Sequence, residues 1–203
     1  MTINKSQVIE TLKIFGLDKF KDIILKSENE KLEYGLRFCK NGAITPTNTC
    51  KGDHCSVELK DCKGKSRPIG SFHTHPTNIR GRTNFLSDDD IYQESKEKSE
   101  FACLGLIEYN IPRIKCYLPN YGIEKSIIDN RNNLRDRYNI ETSEYGSRGT
   151  WDLAKLTPEK HKELRNLYLK YTLADKRLKI EASRSALRLI KEPNDGADLV
   201  IDL

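Results

Sequence analysis

The sequence predicts an α/β fold: a mixed β-sheet flanked by helices, with a helical C-terminal extension. Three features carry that expectation. Leu32, Tyr34, Leu36 and Phe38 alternate with other residues, the period-two signature of a half-buried strand. Phe101-Ala102-Cys103-Leu104-Gly105-Leu106-Ile107 is a near-continuous apolar run, as a central strand buried on both faces requires. Segments of helical period stand before, between and after them, and strands alternating with helices indicate an α/β core.

Taken in order, Val8, Ile9, Leu12 and Phe15 are spaced for a short amphipathic helix over residues 5–15, closed by Gly16, and a second helix is expected over Asp18 to Lys26. After the strand around Glu33 comes a polar, Gly- and Pro-bearing region from Lys40 to Lys65, with a possible strand at Ser56 to Leu59. Arg67 to His75 reads as a strand, Ser87 to about Lys98 as a helix, and Ile114 to Leu118 as a further strand. Beyond Gly122 the pattern turns helical, from Ile123 to about Tyr138. A polar linker, Thr142 to Thr150, then leads to Trp151. The last helix opens at Thr157-Pro158-Glu159, with Thr157 as N-cap and Pro158 at the first helical position, and runs to about Lys191 before Pro193 stops it. These boundaries divide the chain into residues 1–122, an α/β domain, and 123–203, a helical extension with an acidic tail.

The chain has 203 residues, 36% hydrophobic and 32% charged, enough for one well-packed domain with an appendage. No apolar run approaches a membrane span, and Met1-Thr2-Ile3-Asn4-Lys5 lacks a signal-peptide pattern, so a cytoplasmic protein is expected. A formal charge of +5 does not imply nucleic acid. Its distribution says more. Basic residues outnumber acidic ones from Lys160 to Lys191, whereas Glu192 to Leu203 carries four acids and no base; the two can bind a partner or fold back on the chain.

The chemistry-bearing stretch is Gly70-Ser71-Phe72-His73-Thr74-His75-Pro76, followed by Phe85-Leu86-Ser87-Asp88-Asp89-Asp90. Histidines two apart on a strand share a face, so both imidazoles can converge on one point. Ser87-x-x-Asp90 reads as a helix start, Ser87 as N-cap and Asp90 in the first turn. His73, His75 and Asp90 thus form a candidate metal site with three protein ligands, the catalytic rather than the structural arrangement for zinc. Asp89 is the fallback ligand if the register slips. A base is still needed, and Glu33, turned away from the Leu32/Tyr34/Leu36/Phe38 face, can point at the metal, with Glu30 a weaker substitute.

These residues resemble the JAMM/MPN+ metalloprotease family, whose pattern is an upstream Glu, then His-[Ser/Thr]-His-Pro, then Ser-x-x-Asp. His73-Thr74-His75-Pro76-Thr77 and Phe85-Leu86-Ser87 are similar to the endosome-associated deubiquitinase branch. The resemblance covers roughly residues 30 to 120, and departs in having ten residues between Pro76 and Ser87 where the family usually has six; the surplus falls in Asn78-Ile79-Arg80-Gly81-Arg82. It implies a curved sheet flanked by helices, the JAMM/MPN, cytidine-deaminase-like architecture, and zinc-dependent hydrolysis of the isopeptide bond between a ubiquitin-like C-terminus and lysine. Glu33 then serves as general base and Ser87 as oxyanion stabiliser. In the family, the interval between the Glu and the His-x-His often contacts the ubiquitin-like substrate.

Rival readings stay in view: hydrolysis of another amide or carrier conjugate, or an MPN-like scaffold whose helix over 158–191 binds a protein partner or nucleic acid. Neither His-x-Glu with Pro-Cys-x-x-Cys, nor His-Glu-x-x-His, nor Gly-x-Ser-x-Gly occurs. Six cysteines remain. Cys50, His54, Cys55 and Cys62 form a possible second metal site, although Cys-x4-Cys-x6-Cys matches no standard spacing; disulfides or free thiols are the other readings.

Overall fold

Local signals set the helices that flank the sheet. Asn4 and Gln7 exchange bonds in a capping box, Asn4 Oδ1 accepting from the Gln7 N–H and Gln7 Oε1 from the Asn4 N–H, both at 2.9 Å, and α1 runs over Lys5–Phe15. Gly16, at φ 105°, turns the chain directly into α2, Leu17–Glu30, which ends on Lys31 in the left-handed region. The computed structural model describes residues 3–53, 56–77, 84–118, 121–145 and 155–203. The surplus loop at Asn78 to Arg82, most of the linker after Thr142, Trp151, His54 and Cys55 lie outside them.

The strands are β1 (Tyr34–Asn41), β2 (Ala43–Pro46), β3 (Cys50–Lys51), β4 (Arg67–Thr74), β5 (Phe101–Glu108), β6 (Ile111–Tyr117) and β7 (Leu199–Asp202). They form one mixed open sheet in the order β2-β1-β4-β5-β6-β7, with β3 also paired to β1; only β4 and β5 run parallel. A parallel neighbour demands a crossover, and here it is α3, Asp88–Glu97. Tyr109 and Asn110, both at positive φ, make the two-residue turn between β5 and β6. After β6 come α4, Lys125–Thr142, and the long α5, Pro158–Leu189.

Alternation along the central strand divides the core into two layers. Phe101 and Cys103 face α1 and α2, packing with Leu12, Phe20, Ile24, Leu36, Phe38 and Phe72. Ala102, Leu104 and Leu106 face the other way, onto Ile91 of α3, Ile127 of α4, and Leu178, Ala182 and Leu189 of α5. The α/β class, the mixed sheet and the C-terminal helix therefore stand as the sequence predicts. No described helix is long and apolar enough to cross a membrane.

The structure corrects one expectation and chooses between open readings for two more. Ser56 to Leu59 is not a strand: β2 and β3 already take the free edge of β1, leaving that segment no ladder to join. Cys62 is no partner for Cys50 in a second metal site, because it is bonded to Cys39; Cys103 and Cys116, opposite one another on β5 and β6, form another disulfide. Cys50 stays a thiol. The acidic tail folds back, and its apolar Leu199-Val200-Ile201 adds strand β7 to the sheet.

Charge pins that tail. Lys115 projects from β6 with 2% of its side chain exposed, 2.8 Å from Asp195 Oδ2 and 3.0 Å from Glu108 Oε1, and it donates to the Asn84 carbonyl. Arg113 pairs with Asp202 and Glu108, and Asp198 accepts from the Leu118 N–H. Removing one member of a buried set strands the charges left behind. Lys115→Met should therefore lower unfolding free energy in urea by about 3–5 kcal/mol, whereas Lys98→Ala, at an exposed pair with Asp129, should cost below about 1 kcal/mol.

Candidate metal centre

The site begins with the pleat of β4. Because successive side chains alternate, Ser71 and His73 point to the α3 side while Phe72 and Thr74 point to α2, where Thr74 Oγ1 bonds Ser27 Oγ at 2.7 Å. The His75 N–H reaches the Gly105 carbonyl at 2.9 Å, which carries the strand geometry one residue past Thr74 and returns His75 to the face of His73. Both rings are buried.

Asp90 is aimed by the start of α3. Ser87 Oγ accepts the Asp90 N–H at 3.1 Å, and Asp90 Oδ2 accepts from both the Ser87 N–H (2.8 Å) and the Ser87 hydroxyl (2.7 Å). This capping box folds the carboxylate back over the helix N-terminus, towards the end of β4. His73 Nε2 lies 3.1 Å from His75 Nε2 and 3.4 Å from Asp90 Oδ1, and His75 Nε2 lies 3.7 Å from Asp90 Oδ2. Ligands held about 2.0–2.1 Å from a tetrahedral zinc sit about 3.3–3.4 Å apart, which these separations bracket. The buried His73, His75 and Asp90 cluster can therefore bind a metal ion, and it is the only such group among the described residues. Asp89 is not part of it, and Asp88 accepts from Ser183 Oγ of α5.

Glu33 lies immediately before β1 and is 2% exposed. Its N–H donates to the Asp53 carbonyl and its carbonyl accepts from the Gly52 N–H, both at 2.8 Å, so its backbone is held in register with the end of β3. Its side chain lines a cavity of about 640 Å³ together with His73, Ser87 and Asp90. Glu30 does not line it; that carboxylate pairs with Lys51 and the Tyr34 hydroxyl.

The segment from Ser56 to Asp61 forms the opposite wall. It can lie there because Gly35, the Cα partner of His73, has no side chain: a Cβ would come within 2.6 Å of Leu59 Cδ2 and 3.1 Å of Val57 Cγ1. The Cys39–Cys62 disulfide ties the far end of this wall to β1.

Two groups in the cavity region escape the sequence reading. Glu94, one turn after Asp90 on the same helix face, is buried, lines the cavity and accepts from Ser71 Oγ at 2.5 Å. Arg37 crosses the far end, bound to Glu97 at 2.8 Å. The signal for Glu94 was positional, since it is four residues beyond a ligand on a helix and its donor Ser71 is two before a ligand on a strand; Arg37 carried none.

Burial works against the charged form of His73, but Asp90, with Glu33 and Glu94 behind it, outweighs burial and raises its pKa. Burial alone raises Asp90, yet His73, His75 and the Ser87 hydroxyl hold its carboxyl far below the usual range. Glu94 is pushed up by burial.

A His73 pKa raised in the metal-free fold contributes stability that is complete below the ordinary imidazole value and lost as pH rises through the raised one. A metal needs the neutral ring, so metal affinity has the opposite sign. Titration with a divalent transition metal should give binding at least about tenfold weaker at about pH 5.5 than at about pH 8. The chain matches no family model and no curated protein, so the case for this centre rests on its geometry.

Proposed function

We propose that the protein is a zinc-dependent hydrolase acting on an amide bond, most closely of the JAMM/MPN+ kind, with the isopeptide linkage between a ubiquitin-like C-terminus and a lysine as its substrate. The observation that carries this reading is the convergence of two imidazole nitrogens 3.1 Å apart and the Asp90 carboxylate, whose oxygens lie 3.4 and 3.7 Å from them, beside a cavity that also receives Glu33. Two nitrogens and one oxygen suit zinc, and a three-residue set leaves a coordination position for reacting groups.

Zinc, when bound, supplies a Lewis acid and a nucleophile available near neutral pH. The chain's own residues do the rest. Glu33, held by its backbone at the cavity wall, takes a proton from the nucleophile at its carboxylate and returns it to the departing amine. Ser87 orients the ligand carboxylate through its hydroxyl; to donate to an oxyanion as well, that hydroxyl must leave Asp90 Oδ2. Val57 and Leu59 add two apolar side chains to an otherwise polar lining.

Purified protein should hold one zinc per chain, lost in His73→Ala. Glu33→Gln should retain the zinc but drop kcat/KM by about 10²–10⁴-fold, since it removes the proton shuttle alone. Full activity in Glu33→Gln would sink the hydrolytic reading. A substrate panel of isopeptide-linked, linear and small amides separates this proposal from a hydrolase of other conjugates, and zinc retained with no turnover on any of them points to a scaffold.

A further inference from the structure

We infer that the outward face of α5 is a docking surface for an acidic amphipathic helix of another protein. The helix spans 32 residues, and its inward face is buried by Leu164, Leu167, Ala174, Leu178, Ala182, Ser185 and Leu189. Its opposite face is not wholly polar, as a simply solvated face would be. Leu169, Leu173, Ile180 and Leu187 stand 50%, 67%, 53% and 63% exposed. At roughly 100° per residue these four fall in one stripe about 40° wide, diametrically across the helix from the core face. Single exposed apolar residues are ordinary, but four aligned over five turns are a contact surface without its partner.

The form of the stripe selects the kind of partner. Leu173, Ile180 and Leu187 repeat every seven residues and Leu169 precedes Leu173 by four, the a and d spacing at which one helix supercoils around another. Lys176 and Ser183 occupy the intervening d positions, Ser183 at the seam's edge where it donates to Asp88 of α3. A helix lying in a membrane interface needs a broad apolar face, whereas this one is narrow and interrupted by a lysine.

Charge selects the partner's chemistry. From Leu169 to Leu189 the outward half of α5 carries Lys170, Lys176, Arg177 and Arg184, all exposed, and no acid, while Arg188 turns back to donate to the Tyr121 carbonyl. Glu181 and Glu192 engage Arg184 and Arg188, while Lys170, Lys176 and Arg177 have no ion pair among the described residues. Basic residues flanking a heptad seam attract acidic ones at the partner's e and g positions and repel a second copy of the same face. The expected occupant is therefore a helix with Leu or Ile at a and d and Glu or Asp beside them. This surface is independent of the chemistry at His73, His75 and Asp90.

The test uses the full chain and two synthetic helical peptides with the same Leu seam, one with Glu at e and g and one with Lys there. Calorimetric titration should show the Glu peptide binding at least tenfold tighter than the Lys peptide, with affinity falling as salt is raised. L173E/I180E should weaken the Glu peptide at least tenfold while leaving the circular dichroism spectrum unchanged. K176E/R177E should narrow or reverse the preference between the peptides, a change that mere unfolding cannot produce. Equal affinity for both peptides, binding indifferent to either double variant, dimerisation of the chain through this face, or capture by phosphatidylserine vesicles in place of the Glu peptide would each overturn the inference.

Discussion

One constraint organises the site: β4 and β5 run parallel, so the chain between them must cross the sheet, and the crossover helix begins where β4 ends. A strand terminus carrying His73 and His75 and a helix N-terminus carrying Asp90 are thereby brought together by topology. The pleat decides which β4 residues face the helix, and the capping box decides where the aspartate points. Neither depends on what fills the centre.

The remaining wall is built differently. Glu33 comes from outside the crossover unit, held through its backbone to Gly52 and Asp53, and the segment after them lies over Gly35 because no side chain stands there. The Cys39–Cys62 bond then limits how far that segment can lift from the sheet. A cavity floored by rigid elements but walled by an irregular, tethered segment divides labour. The three candidate metal ligands sit on regular elements, and any adjustment to a molecule entering the cavity falls to the loop.

Much of this was legible in the sequence, for reasons that differ by residue. His73-x-His75 and Ser87-x-x-Asp90 are short-range signals whose geometry follows from strand and helix periods alone. Glu33 was readable only because alternation with Leu32 and Tyr34 fixed its face. What could not be read depends on pairing across long distances: Cys39 with Cys62, the capture of β1's edge by β2 and β3, and Lys115 drawing Asp195 inward across 80 residues. Leu199 to Ile201 is too short for its alternation to be heard over the surrounding acids. The stripe on α5 is a different case: helical geometry sets Leu173 and Ile180 across from the residues that pack, and their exposure is seen only in the fold.

The order in which these interactions arise bears on how the centre works. A structural zinc site gains its geometry from the metal, and such domains are unfolded without it. Here the donors are placed beforehand by bonds the metal does not make: the Asp90 carboxylate by two bonds from Ser87, and the histidines by a strand hydrogen-bonded on both edges. The layers on either side of the sheet are apolar and complete without an ion. A metal that binds here therefore need not order the chain. The cost of the preformed arrangement is electrostatic: Asp90, with Glu33 and Glu94 behind it, raises the His73 pKa, so a proton competes with a metal for that ring. A divalent cation held by these three side chains would take the proton's place beside the Asp90 carboxylate.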